Sequence, residues 1–114
     1  VWSRSQKSDA ERYEYDLVLY VANWPDARVN AWDGLLKARA IENISYSLGV
    51  NRVGLDGSGK AYTGHSAVYS PLGDRLVFSE DKEEVLTCVL DAEELKQYRE
   101  KFPFQADADR FEIG

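Results

Sequence analysis

Few side chains in this sequence could make or break a covalent bond. It holds one cysteine, Cys88, and one histidine, His65. A thiol paired with an imidazole is the nucleophile such a set could build, and those two residues would have to meet. Cys88 falls mid-way along Glu84 to Leu90, which alternates as a strand with Leu86, Cys88 and Leu90 on one face. A buried, inert thiol is the reading there, because a nucleophilic thiolate needs a positive, accessible setting. His65 stands directly before Ser66, and neighbouring side chains of an extended segment diverge, so it reads as a turn histidine bonding local backbone. Carboxylates are abundant, but they lie in loops or on helix faces with no second acid placed to perturb them. A lone cysteine and a lone histidine cannot build a structural zinc site, so neither metal nor other cofactor is expected. Gly54, Gly59 and Lys60 have the spacing of a phosphate-binding loop after a strand. Ala61 replaces the magnesium-binding hydroxyl, however, and Tyr62 to Ser66 leads into a strand instead of a helix, which leaves a flexible hairpin connection. Read singly, these residues compose no complete active site, and no catalytic residue is assigned.

The stretch that would position a site is Tyr15 to Pro25. Asp16 to Ala22 is a near-continuous apolar run, too short for a typical helix and stopped by Pro25, so it predicts a strand buried on both faces. It emerges into Asn23-Trp24-Pro25, an amide, an indole and a chain-turning proline at a strand end, where open α/β folds keep their sites. In the plainer alternative Asn23 caps the turn, Trp24 fills a gap and Pro25 starts the next helix. Apolar residues Val29, Trp32, Leu36, Ala40, Ile44 and Leu48 recur at helical steps, predicting a helix over Asp26 to Leu48 with Gly49 as its stop. Arg39 and Glu42 would form a surface pair on it. Strands are expected at Val50 to Val53, Ser66 to Ser70 and Arg75 to Ser79, the last two joined by a Pro71-Leu72-Gly73-Asp74 turn. Asp91-Ala92-Glu93-Glu94 is a capping box opening a helix with a Leu95, Tyr98, Phe102 stripe that Pro103 closes. A short helix over Ser8 to Glu14 is expected at the start, and the aromatic tail from Phe104 to Gly114 is expected to pack on its own domain or a neighbour.

At 114 residues, 44% hydrophobic and 30% charged, the chain has the proportions of one globular domain. A formal charge of -6 without a basic cluster speaks against a nucleic-acid or anionic-membrane surface. No run is long enough to span a membrane, the opening residues do not read as a signal peptide, and the cytoplasm is the expected compartment. The absence of methionine reads as a start part-way into a longer protein.

The order of the motifs resembles the carbon–nitrogen hydrolase, or nitrilase, superfamily. Val1 to Arg4, Tyr15 to Pro25, Arg39 to Asn43 (Arg-Ala-Ile-Glu-Asn), Asn51 to Gly54 (Asn-Arg-Val-Gly), Gly64 to Ser66 (Gly-His-Ser), Ser70 to Asp74 (Ser-Pro-Leu-Gly-Asp) and Arg99 to Pro103 (Arg-Glu-Lys-Phe-Pro) match it in sequence order and span nearly the whole chain. The Ala-Asn-Trp-Pro, Asn-Arg-Val-Gly and Arg-Glu-Lys-Phe-Pro versions are most similar to the omega-amidase branch.

The resemblance implies an α/β fold, the C-terminal half of an α-β-β-α sandwich, with residues 1–114 forming one partial domain. It implies cysteine chemistry on a small-molecule amide, through an acyl-enzyme, with a lysine at the oxyanion and glutamates moving protons. The family's nucleophile precedes the segment matching Val1 to Arg4, and its lysine and glutamates lie earlier still, so this stretch carries none of them. Cys88 matches no catalytic position. The positions that carry over are pocket residues: Trp24 as a wall of the substrate pocket, Asn23 ordering the loop beside the acyl group, and Pro25 beside them. Two readings follow. In one, the chain is part of an amidase whose N-terminal half lies elsewhere; in the other, it is a non-catalytic association module of the same fold. Both expect an open strand edge and a bare apolar face, with a partner that is the N-terminal half or a second copy in a homo-oligomer.

Overall fold

A computed structural model describes residues 13–103. The elements are β1 (Leu17–Ala22), a single 3-10 turn (Asp26–Arg28), α1 (Val29–Asn43), β2 (Tyr46–Asn51), β3 (Val53–Leu55), β4 (Ala61–Tyr69), β5 (Arg75–Glu80) and α2 (Ala92–Lys101). β1 runs parallel to β2, with α1 as the crossover between them, and β4 pairs antiparallel with β2, β3 and β5. Alternation along the strands decides what each face does. Tyr20, Ala22, Ala67, Tyr69 and Phe78 pack beneath Trp32, Leu36 and Ala40 of α1. Gly49 of β2 lies directly under that helix, where a Cβ would come within 2.5 Å of Leu36 Cδ1 and 2.6 Å of Trp32 Cζ2. Only a residue without a side chain lets α1 sit this close to the sheet.

The opposite face is a different surface. Leu19 pairs with Leu48, Val21 with Val50, Leu48 with Val68 and Val68 with Val77, one continuous apolar row across four strands. No helix covers it among the described residues, and at the β1 end Leu19 is 58% and Val21 77% exposed. β1 is therefore an edge strand with one face packed, not the strand buried on both faces that its composition suggests. A continuous apolar run records two buried faces only when both are covered, and the described residues cover one face of β1.

The long helix ends sooner than its periodicity predicts. Asn43 is its last residue, and Ile44 takes a left-handed conformation (φ 42°, ψ 63°), its N–H and that of Ser45 both reaching the Ala40 carbonyl. Leu48 and Gly49 belong to β2, so Gly49 is no helix stop. Strand pairing on both sides of Tyr46–Asn51 outcompetes one further helical turn. Placing Ile44 in that region costs about 1–2 kcal/mol. Burying its side chain to 2% exposure offsets that cost.

β2 and β3 follow one line along β4, since Ser47 opposite Tyr69 and Val53 opposite Thr63 share the same register on either side of a gap in the ladder. The ribbon begins at Ala61, earlier than the expected Ser66, and β5 follows the Pro71 to Asp74 turn as anticipated. Its tip is not merely flexible. One Asp56 carboxylate oxygen accepts the Ser58 N–H and hydroxyl and the Lys60 N–H, and the other accepts from the Tyr62 hydroxyl at 3.0 Å. These donors, the Ser58 hydroxyl first, hold the Asp56 carboxyl well below the usual carboxylate range.

After β5 the expected strand over Glu84 to Leu90 does not form. The segment runs unpaired, with Val85 94% and Val89 89% exposed, and Cys88 is only partly covered, not a buried core thiol. A strand needs a neighbour for its ladder, and the sheet offers this alternating sequence none. α2 follows with Asp91 as its cap, accepting from the Glu93 and Glu94 N–H groups, while the Asp91 N–H donates to the Tyr46 hydroxyl and not to Glu94 as a full capping box would have it. Arg99 then staples the layers together. Its guanidinium donates to the Ile44 carbonyl (2.9 Å), the Asp16 carboxylate (2.6 Å) and the Tyr15 carbonyl (2.8 Å). The Arg39–Glu42 pair forms at 2.9 Å. Most of the expected N-terminal helix and the whole aromatic tail lie outside the described residues. No helix among the described residues is long and apolar enough to cross a membrane.

Candidate functional site

The chain's chemistry gathers where β1 and β2 end. Pro25 turns the backbone (φ −72°, ψ 152°) into the 3-10 turn, which Arg28 N–H closes onto the Pro25 carbonyl at 3.0 Å. Trp24 is half-buried, its ring centroid 5.9 Å from that of Trp32. Its indole N–H donates to the Arg28 carbonyl (2.6 Å), and the Arg28 guanidinium lies 5.6 Å above the same ring. Trp32 in turn donates its indole N–H to the His65 carbonyl (2.9 Å).

The side chain that fixes this corner is Asn51, the buried last residue of β2. Its Oδ1 accepts the Trp24 N–H at 2.7 Å, and its Nδ2 donates to the Trp24 carbonyl (2.8 Å) and the Gly64 carbonyl (2.9 Å). One amide thus satisfies both backbone groups of Trp24, as a neighbouring strand would. It can do so because the β2–β4 ladder opens there. Gly64 and His65 both have left-handed backbone (φ 78° and 58°), the β4–β5 register slips between Gly64 and Ser66, and the Ser66 hydroxyl takes the Asn51 N–H at 2.9 Å. The irregularity re-aims side chains at a sheet end, the usual use of a bulge.

His65 is therefore not a turn histidine bonding local backbone. Its Nδ1 lies 2.9 and 3.0 Å from the two Asp33 oxygens of α1, its ring stands edge-on to Phe78, and its Nε2 is 3.6 Å from the Glu80 carboxylate. Asp33 and Glu80 each face one nitrogen of the His65 ring, an arrangement that no spacing in the sequence marked. A carboxylate-oriented imidazole can hold or pass a proton. The cluster contains no nucleophile, and Cys88 lies in the unpaired segment, its sulfur 3.7 Å from the Val89 carbonyl. Among the described residues no three His, Cys, Asp or Glu side chains are grouped to hold a metal ion.

Asn23, Trp24 and Pro25 do stand together at the sheet edge. Asn23 is exposed, and its side chain makes no hydrogen bond among the described residues; the amide that holds the Trp24 backbone is Asn51, which the Asn-Arg-Val-Gly motif contained without marking its role. A groove of about 550 Å³ lies on the sheet face away from α1, between Leu48, Val68 and Val77 and the polar Ser79, Lys82 and Glu84. None of the three corner residues lines it.

Parallel strands ending in a turn that feeds a helix, with one sheet face packed and the other exposed along β1, are one part of a layered α/β fold. The chain belongs to the carbon–nitrogen hydrolase, or nitrilase, superfamily: the carbon-nitrogen hydrolase family matches residues 13–100. Within it the chain resembles the omega-amidase branch. It is 46% identical over 112 residues to omega-amidase YafV of Yersinia enterocolitica, covering 97% of this chain and 41% of that protein. It is 36% identical over 86 residues to 2-oxoglutaramate amidase of Paenarthrobacter nicotinovorans, covering 75% of this chain and 29% of that protein. A CN-hydrolase superfamily protein of Xanthomonas campestris, crystallised with an arsenic adduct in its active site, superposes with a TM-score of 0.91 at 44% identity, over 98% of this chain and 43% of that one. The chain spans about two fifths of the YafV relatives' length, 41–42%.

Proposed function

We propose that this chain is the C-terminal part of an omega-amidase-like hydrolase that cleaves a small linear amide, a 2-oxo dicarboxylate monoamide, to the acid and ammonia. The remaining part supplies the cysteine, lysine and glutamates. The cysteine sulfur adds to the amide carbonyl, the tetrahedral intermediate expels ammonia after protonation, and water hydrolyses the thioester, regenerating the thiol. This stretch contributes the Asn23-Trp24-Pro25 corner as a pocket wall, held from behind by Asn51. The reading places the enzyme in the cytoplasm, as a homodimer, with residues 1–114 as one partial domain that is inactive by itself.

The exposed apolar end of the sheet at Leu19, Val21 and Val50 is the observation that supports it most directly, because it asks for a covering layer that no helix among the described residues provides. An edge strand with an open ladder asks for the same partner. The test is to produce this chain with and without the complementary part, and to measure ammonia release from 2-oxoglutaramate. Release by the assembled protein and none by the isolated chain is expected. An assembled protein that binds its complement yet releases no ammonia would leave the association module as the function.

A further inference from the structure

We infer that Arg28 anchors the free carboxylate of the substrate, and so selects an amide that carries a second acid group. The inference rests on the substrate class proposed above. Such a molecule has two unlike ends: its amide must reach the nucleophile, and the 2-oxo acid at the other end brings a negative charge that needs a cation or a fan of N–H groups.

Among the arginines of the described residues, Arg39 and Arg99 are engaged by Glu42 and Asp16. Arg52 lies over Tyr62 on the β3–β4 ribbon, and Arg75 lies over Phe78 on β5. Arg28 is the one in the turn that Pro25 begins. Its position is fixed twice by Trp24, whose indole N–H holds the Arg28 carbonyl while the indole face carries the Arg28 guanidinium. At 5.6 Å from the ring centroid the guanidinium is within cation–π reach of the indole, and among the described residues its N–H groups make no hydrogen bond, which leaves them for a carboxylate. The acid that could quench it from the same turn is held elsewhere, since Asp26 accepts from the Thr63 hydroxyl at 2.8 Å. Among the described residues no carboxylate lies within ion-pairing distance of Arg28. Asn51 holds the Trp24 backbone, and Trp24 carries Arg28 at the corner.

The experiment uses the assembled full-length enzyme with Arg28→Gln and Arg28→Lys, and compares 2-oxoglutaramate with pentanamide, a neutral amide of the same chain length. The readout is the ratio of kcat/KM for the two amides. Arg28→Gln should lower that ratio by about 30- to 100-fold, chiefly through KM for 2-oxoglutaramate, the size expected for losing a charge-assisted pair. Arg28→Lys should fall between, keeping the charge but not the fork. A ratio unchanged in both variants overturns the role of Arg28 and leaves the proposed activity standing. If Arg28→Gln hydrolyses neither amide, Arg28→Lys decides by the same ratio. An unsubstituted enzyme that hydrolyses pentanamide but not 2-oxoglutaramate overturns the substrate class and the anchor together.

Discussion

Removing the Asn51 side chain is the sharpest test of how the corner is built. Asn51→Ala deletes three hydrogen bonds of 2.7, 2.8 and 2.9 Å. At about 1 kcal/mol each, with a further penalty for the desolvated Gly64 carbonyl and partial recovery where water reaches the half-exposed Trp24, the loss should be about 2–4 kcal/mol. Asn51→Asp is nearly isosteric and still accepts the Trp24 N–H, but it turns the donor into an oxygen facing two carbonyls. Ionisation is disfavoured there, so the new carboxyl should titrate above its unfolded-chain value of about 4. The folded state then binds the proton more tightly than the unfolded state, which makes the damage greatest at pH 7 and relieves it as pH falls through the raised pKa. Urea unfolding followed by tryptophan fluorescence, on the chain together with its complementary part, reads both effects as a midpoint shift at constant slope. A loss below about 0.5 kcal/mol for Asn51→Ala, or an Asn51→Asp penalty that does not change between pH 7 and about 4.5, would refute the clamp.

Three further outcomes are expected. Gly49→Ala should cost about 1–3 kcal/mol, because its methyl group would force Leu36 and Trp32 off their positions; thermal denaturation measures it. Arg99→Lys should cost about 1–3 kcal/mol despite keeping the charge, since an ammonium cannot serve the Ile44 and Tyr15 carbonyls and Asp16 together; urea unfolding checks this, and equality with the unsubstituted protein would refute the staple. At the ribbon tip the folded pKa of Asp56 is depressed, so its contribution is present above the unfolded value of 3.8 and is lost as pH falls below it. The Tm gap between the unsubstituted protein and Asp56→Asn should accordingly narrow between pH 5 and pH 2.5.

Local chemistry made several elements legible before any coordinates. The Asp91 cap, the turn after Pro71 and the strand that stops at Pro25 each carry their signal within a few residues. What sequence could not show depends on partners distant along the chain. The helical stripe continues numerically through Ile44 to Leu48, but β1 and β4 claim those residues for the sheet. Glu84 to Leu90 alternates as a strand should and finds no ladder to join. At the site, Asn23-Trp24-Pro25 was visible as a corner because its residue types are unusual at a strand end. Asn51 was not, for an asparagine near a strand end is ordinary until Trp24, 27 residues earlier, is seen to lie against it. The pairing of His65 with Asp33 was hidden by the same distance, since an imidazole 32 residues from its carboxylate leaves no pattern in a one-dimensional string.

The shared register of β2 and β3 against β4 has a consequence for descent. Because side chains alternate at every step, losing or gaining one residue anywhere between Tyr46 and Leu55 would invert every later position, sending helix-facing groups outward and outward groups under α1. Length changes in this half of the molecule can therefore accumulate cheaply only past the phase-locked part, at the Asp56 to Lys60 tip. Lineages of this protein should differ there in size while the stem keeps its count.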